Sequence, residues 1–97
     1  MWILRGSDED GVLMFRLVNG TSRTVGRAPV ADFRLEAALV SRVHCRITAE
    51  HETLNVEDLA STNGTFVNDR RIDNGLLANG DRLRIGRVEL TVEQVHD

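Results

Sequence analysis

Arg82-Leu83-Arg84-Ile85-Gly86-Arg87-Val88-Glu89-Leu90-Thr91-Val92 decides the fold. Leu83, Ile85, Val88, Leu90 and Val92 alternate with polar neighbours on either side of Gly86-Arg87. That period of two describes a pair of strands, each with one buried face, joined by a turn. The same pattern recurs upstream. Val12-Leu13-Met14-Phe15-Arg16-Leu17-Val18 is rich in strand formers and stops at Asn19-Gly20, a hairpin signal. Asn-Gly pairs at 63–64, 74–75 and 79–80 mark further turns. Val43 to Thr48 and Thr53 to Glu57 read as strands, and Thr65 to Asn68 and Arg70 to Ile72 as shorter ones. Glu36 to Val40 is the one stretch of helical character, but it is too short and lacks a cap. Many short strands with turns at close spacing indicate an all-β fold, an antiparallel sandwich or barrel.

At 97 residues the chain reads as one domain, 1–97. Met1 followed at once by a strand is expected of the N-terminal part of a longer protein. Met1-Trp2-Ile3-Leu4-Arg5 lacks the basic flank and apolar stretch of a signal peptide, and no apolar run reaches the ~18–20 residues that span a bilayer. These features predict an intracellular protein without a membrane partner. The single Cys45 excludes an internal disulfide and fits a reducing compartment. A net charge of −3 argues against direct nucleic-acid binding. All twelve basic residues are arginine. P-loop and Schiff-base chemistry, which need lysine, are therefore ruled out, and any cationic contact with phosphate runs through guanidinium groups.

The soft and imidazole ligands His44, Cys45, His51 and His96 show no paired metal spacing, so no metal and no cofactor is expected. Ser41-Arg42-Val43-His44 holds a hydroxyl three residues from an imidazole, but no nucleophile elbow accompanies it and an enzyme is not expected. Asp8-Glu9-Asp10-Gly11 lacks the ligand alternation of a calcium loop and reads as a solvated hairpin turn.

One ordered set of residues stands apart. Gly26-Arg27 closes a strand, Ser41 and His44 follow, and Ser61-Thr62-Asn63-Gly64-Thr65-Phe66-Val67-Asn68 comes later. Each piece alone is common. In this order and at these spacings, within a chain of this length, the set resembles the forkhead-associated (FHA) domain family over nearly the whole sequence. The chemistry is coherent without the family name. A phosphothreonine carries about −1.5 to −2 charge and three acceptor oxygens. A guanidinium and short hydroxyl donors on loops of a rigid scaffold suit such a group.

The resemblance implies an antiparallel β-sandwich of two twisted sheets with ligand-binding loops at one end, serving as a phosphothreonine-dependent interaction module that binds a phosphorylated protein or peptide. Arg27 and Ser41 would contact the phosphate, Arg42 would add to that pocket, and Thr62 would complete it. Asn63 would fix the peptide main chain. Gly26, His44, Gly64 and Asn68 match positions that support the site, with His44 bracing the serine loop. As residues alone, Ser41 and Thr62 also suit turn caps, and Asn63-Gly64 serves equally as a plain turn. The loop ending in Leu39 and Val40 would read a residue beyond the phosphothreonine, with an apolar or weak preference. The Met1-Trp2 opening and Arg42 are slightly more similar to nuclear DNA-damage-response members, which implies a nuclear location. The alternative reading is a structural domain that self-associates, as a homodimer, through its strands.

Overall fold

The acidic run Asp8-Glu9-Asp10-Gly11 folds as the tight turn its composition suggests: the Asp10 amide donates to Asp8 Oδ1 at 2.8 Å, and Gly11 takes a φ of 125°. In a computed structural model, which describes residues 1–96, this turn joins β1 (Trp2–Asp8) to β2 (Gly11–Leu17). Then follow β3 (Thr21–Gly26), β4 (Phe33–Arg34), β5 (Cys45–Ala49), β6 (Leu54–Asp58) and β7 (Thr65–Val67). The chain closes with β8 (Arg70–Ile72), β9 (Asn74–Leu77), β10 (Arg82–Ile85) and β11 (Val88–Gln94). No helix is present among the described residues.

The strands form two sheets, ordered β2-β1-β11-β10-β7-β8 and β4-β3-β5-β6-β9. All pairings are antiparallel except that of the two-residue β4, which lies parallel to β3. In the 82–92 hairpin, Leu83 faces Leu90 and Ile85 faces Val88, so all four apolar side chains share the inner face. Ile47 opposite Val56 and Ala49 opposite Leu54 supply the facing layer. Trp2, Leu4, Leu17 and Val25 fill the space between, all at 1% exposure or less. The core is thus an apolar slab whose two faces come from the two sheets.

Three local expectations change. Glu36 to Val40 is an irregular loop, with Leu39 in the left-handed region at φ 70° and Val40 buried in the core. Asn74-Gly75 opens β9 instead of making a turn, because pairing of Gly75 with Val56 extends the second sheet. The strand expected from Val43 begins at Cys45, since His44 is committed to loop hydrogen bonds described below.

Trp2 is the sole tryptophan and is fully enclosed, so its emission reports the core directly. Leu4→Ala should lower unfolding free energy by about 2–5 kcal/mol, the usual cost of a cavity at such a site. Urea titration followed by the Trp2 emission shift checks this; a loss below about 1 kcal/mol would contradict the packing.

Candidate functional site

At the end of the sandwich where β3 and β6 terminate, three connections converge: β3–β4, β4–β5 and β6–β7. Gly26 governs the first approach. A Cβ at this position would lie 2.2 Å from the Arg42 carbonyl oxygen, so only glycine lets the two loops touch. The contact is ladder-like. The Arg27 amide donates to the Ser41 carbonyl and the Ala28 amide to the Arg42 carbonyl, both at 3.0 Å.

His44 joins the second loop to the third. Its Nδ1 accepts from the Ser41 amide at 3.0 Å, and its Nε2 lies 2.8 Å from the Gly64 carbonyl. An amide cannot donate to a protonated nitrogen, so Nδ1 is bare and Nε2 carries the hydrogen that it gives to Gly64. Burial holds the imidazole below its ordinary 6.5, against the opposing pulls of the Gly64 bond and the nearby Asp58 carboxylate. Gly64 itself sits at φ 91°, a conformation suited to glycine.

Asp58 organises the third loop. Its Oδ1 accepts from Ser61 Oγ at 2.5 Å and from Thr65 Oγ1 at 2.7 Å, while Oδ2 accepts from the Ser61 amide at 3.1 Å. Ser61 Oγ in turn accepts from the Gly64 amide at 3.0 Å. Burial works to raise the Asp58 pKa, but the Ser61 and Thr65 hydrogen bonds outweigh it and the carboxyl stays below its usual value. Since β6 and β7 belong to different sheets, this carboxylate also ties the two layers together at the loop end.

These braces present an open groove of about 630 Å³ whose lining includes Arg27, Leu39, Ser41, Arg42, Thr62 and Asn63. Ser41 Oγ accepts from the Thr62 amide at 3.0 Å, which leaves its own hydrogen to be donated outward. Arg27 Nε donates to the Val40 carbonyl at 3.2 Å, fixing the guanidinium plane, while its two terminal nitrogens have no partner among the described residues. Arg42 has no side-chain partner among the described residues. Asn63 Nδ2 donates to the Leu39 carbonyl at 3.1 Å. The arrangement can surround a tetrahedral anion with guanidinium and hydroxyl donors.

The residues singled out from sequence therefore separate. Arg27, Ser41, Arg42, Thr62 and Asn63 come together in the groove; Gly26, His44 and Gly64 stand behind them. Asn68 lies elsewhere, in the β7–β8 turn, where its side chain binds Asp81 and the Arg82 amide at 3.0 and 2.9 Å. Leu39 is on the groove, whereas the Val40 side chain is 3% exposed and points into the core, so only its carbonyl serves the site. Sequence reasoning overlooked Asp58, although Asp58 followed by Ser61 is a recognisable side-chain-to-backbone turn pattern. No sequence pattern marked Arg34 either; Arg34 Nε donates to the Arg27 carbonyl at 3.0 Å, and Arg34 Nη2 pairs with Glu36 at 2.8 Å. Glu9 and Glu36 give the groove an acidic flank that no motif signalled.

Because the folded-state pKa of His44 is lowered, the unfolded chain takes up that proton first as pH falls. The contribution is complete above pH 6.5 and is lost as pH drops below that value. Urea midpoints should thus be flat above about pH 7 and decline towards pH 5.5. His44→Leu should be less stable by about 1–3 kcal/mol, through the unpaired Ser41 amide and Gly64 carbonyl, and should lack that decline.

Comparison with known proteins agrees with this geometry. The FHA domain model matches residues 23–86. The chain is 39% identical over 74 residues to the glycogen accumulation regulator GarA of Mycobacterium tuberculosis, covering 76% of this chain but 46% of GarA. It thus spans about half the length of that curated relative. Among solved structures, one from a study of phosphothreonine-dependent FHA domain interactions superposes with a TM-score of 0.87 at 36% identity, over 98% of this chain and 97% of that one. The FHA domain of FhaA in complex with the intracellular domain of Rv3910 superposes with a TM-score of 0.85 at 36% identity, over 96% and 100%. GarA is a bacterial protein, and the expected likeness to nuclear DNA-damage proteins finds no support in these relatives. Matched over most of its length by the family model and by relatives well above 30% identity, the chain belongs to the FHA domain family.

Proposed function

We propose that the groove binds a phosphothreonine of a partner protein, and that this chain thereby serves a regulatory interaction in a bacterial cell. The FHA domain is a phosphopeptide-binding module, and the chain is not an enzyme. The observation that carries the reading is the convergence of Arg27, Ser41, Arg42, Thr62 and Asn63, from three separate connections, on one groove. In this reading the terminal nitrogens of Arg27 and the outward hydroxyl of Ser41 take two phosphate oxygens. Thr62 and Arg42 close the remaining sides. Asn63, held by Leu39, presents its amide to the peptide main chain, and Leu39 offers an apolar contact to a following residue. An intracellular setting belongs to the same proposal, as does a partner whose name no residue here specifies.

The charge-assisted bonds contribute about 1.5–3 kcal/mol each, set against the ordering of a flexible peptide. Dissociation constants in the micromolar range, about −8 kcal/mol, are expected. Fluorescence anisotropy with a degenerate phosphothreonine library should show saturable binding, absent for phosphoserine and unphosphorylated libraries. Arg27→Ala should weaken it at least about tenfold. Undiminished affinity in that variant would remove Arg27 from the pocket.

Self-association is a second reading, favoured by β2. This strand is an edge of the first sheet and exposes Val12 at 92% and Met14 at 43%. Sedimentation across a concentration series should show a dimer if this strand pairs with a second copy, and Val12→Lys should abolish it; a monomer at every concentration ends this reading.

A further inference from the structure

Next to the groove lies a second, smaller cleft of about 280 Å³, formed by Arg27, Ala28, Pro29, Arg34, Glu36 and Arg42. The two share Arg27, Glu36 and Arg42 but differ in charge. The groove sets two guanidinium groups against Glu9 and Glu36, whereas the cleft sets three against Glu36 alone. A positive surplus is thus displaced to one side of the proposed phosphothreonine position.

Arg34 is not a loose surface arginine. It lies on β4, which is held to β3 by the pairs Val25–Phe33 and Gly26–Arg34. The neighbouring Phe33 ring stacks on Phe15 of β2 with centroids 4.5 Å apart. The Arg34 guanidinium is oriented through Nε on the Arg27 carbonyl and Nη2 on Glu36 Oε2. Its side chain remains 54% exposed, and among the described residues Nη1 has no partner. A guanidinium fixed in plane with donors still open is suited to forked contact with an oxyanion.

We propose that this cleft is a second anion subsite, taking another negatively charged group of the same peptide, a phosphate or a carboxylate, through Arg34 and Arg42. This rests on the reading of the groove as the phosphothreonine site. The exposed Arg34–Glu36 pair is a weak competitor, so a phosphate dianion displaces Glu36 from Arg34. An extended peptide advances about 3.3 Å per residue. Because the two sites share Arg27 and Arg42, the second group lies within about three residues of the phosphothreonine.

The test is a peptide series carrying one phosphothreonine and a phosphoserine placed in turn from three residues before it to three after. A further peptide carries the phosphoserine eight residues away. At one or two near positions the second phosphate should tighten binding about tenfold over the singly phosphorylated peptide. In Arg34→Gln the ratio of the two affinities should fall towards one, and in Glu36→Gln it should rise. Replacing the phosphoserine by glutamate separates the sources: a retained gain assigns the subsite to acidic residues generally, and a lost gain assigns it to phosphate. No gain at any near position, an equal gain at the distant one, or a ratio unchanged in Arg34→Gln would overturn the subsite. Failure of the singly phosphorylated peptide itself to bind would instead overturn the reading of the groove.

Discussion

His44 accepts from the Ser41 amide and donates to the Gly64 carbonyl, and both bonds exist together only while the ring is neutral and holds its hydrogen on Nε2. The spacing of the β4–β5 and β6–β7 connections is set by the width of one imidazole. Ser41 Oγ then falls within reach of the Thr62 amide, which turns the serine hydrogen outward. From the other side, Asp58 gathers Ser61 and Thr65, so the turn that carries Thr62 and Asn63 is fixed by a carboxylate rather than by packing. Irregular backbone needs such partners, because buried loop amides and carbonyls have no ladder to satisfy them.

The apolar period of two carries most of the fold. Leu83, Ile85, Val88 and Leu90 cannot all reach one core unless the strands pair as they do, and the facing residues Ile47, Val56 and Leu54 obey the same constraint. The site was legible in a different manner, through residue types whose joint occurrence matched a known pattern. What stayed hidden depends on contacts distant in sequence. Val40 looked like part of a recognition loop, but the left-handed Leu39 before it turns its side chain inward. Asn74-Gly75 has the composition of a turn, yet β6 offered an open edge and the pair was drawn into a sheet. Asn68 shares a short run with Thr62 and Asn63, but β7 carries it to the opposite end of that strand, where Asp81 and Arg82 bind it. Arg34 is silent in sequence because its role depends on a two-residue strand that only the fold creates.

Net charge is a poor guide to this molecule. A total of −3 describes a mildly acidic protein, while Arg27, Arg34 and Arg42 meet at one end of the sandwich. Glu9 and Glu36 lie close by, so the field across the binding end changes sign over a few residues. Such a pattern favours a definite orientation of a charged peptide over simple attraction. Away from this end, Arg5 pairs with Glu93 and Arg46 with Glu57, and these exposed pairs add little to stability.

Strand β1 (Trp2–Asp8) runs towards the binding end of the sandwich. Its last residue, Asp8, accepts from the Glu36 amide at the groove, while Met1 at its start is paired with Val95. Seven extended residues separate these points, roughly 20 Å. Met1 and Val95 therefore lie at the pole opposite the binding loops. A load joined at that pole stands away from the mouth of the groove, as a cable stands at the back of a plug.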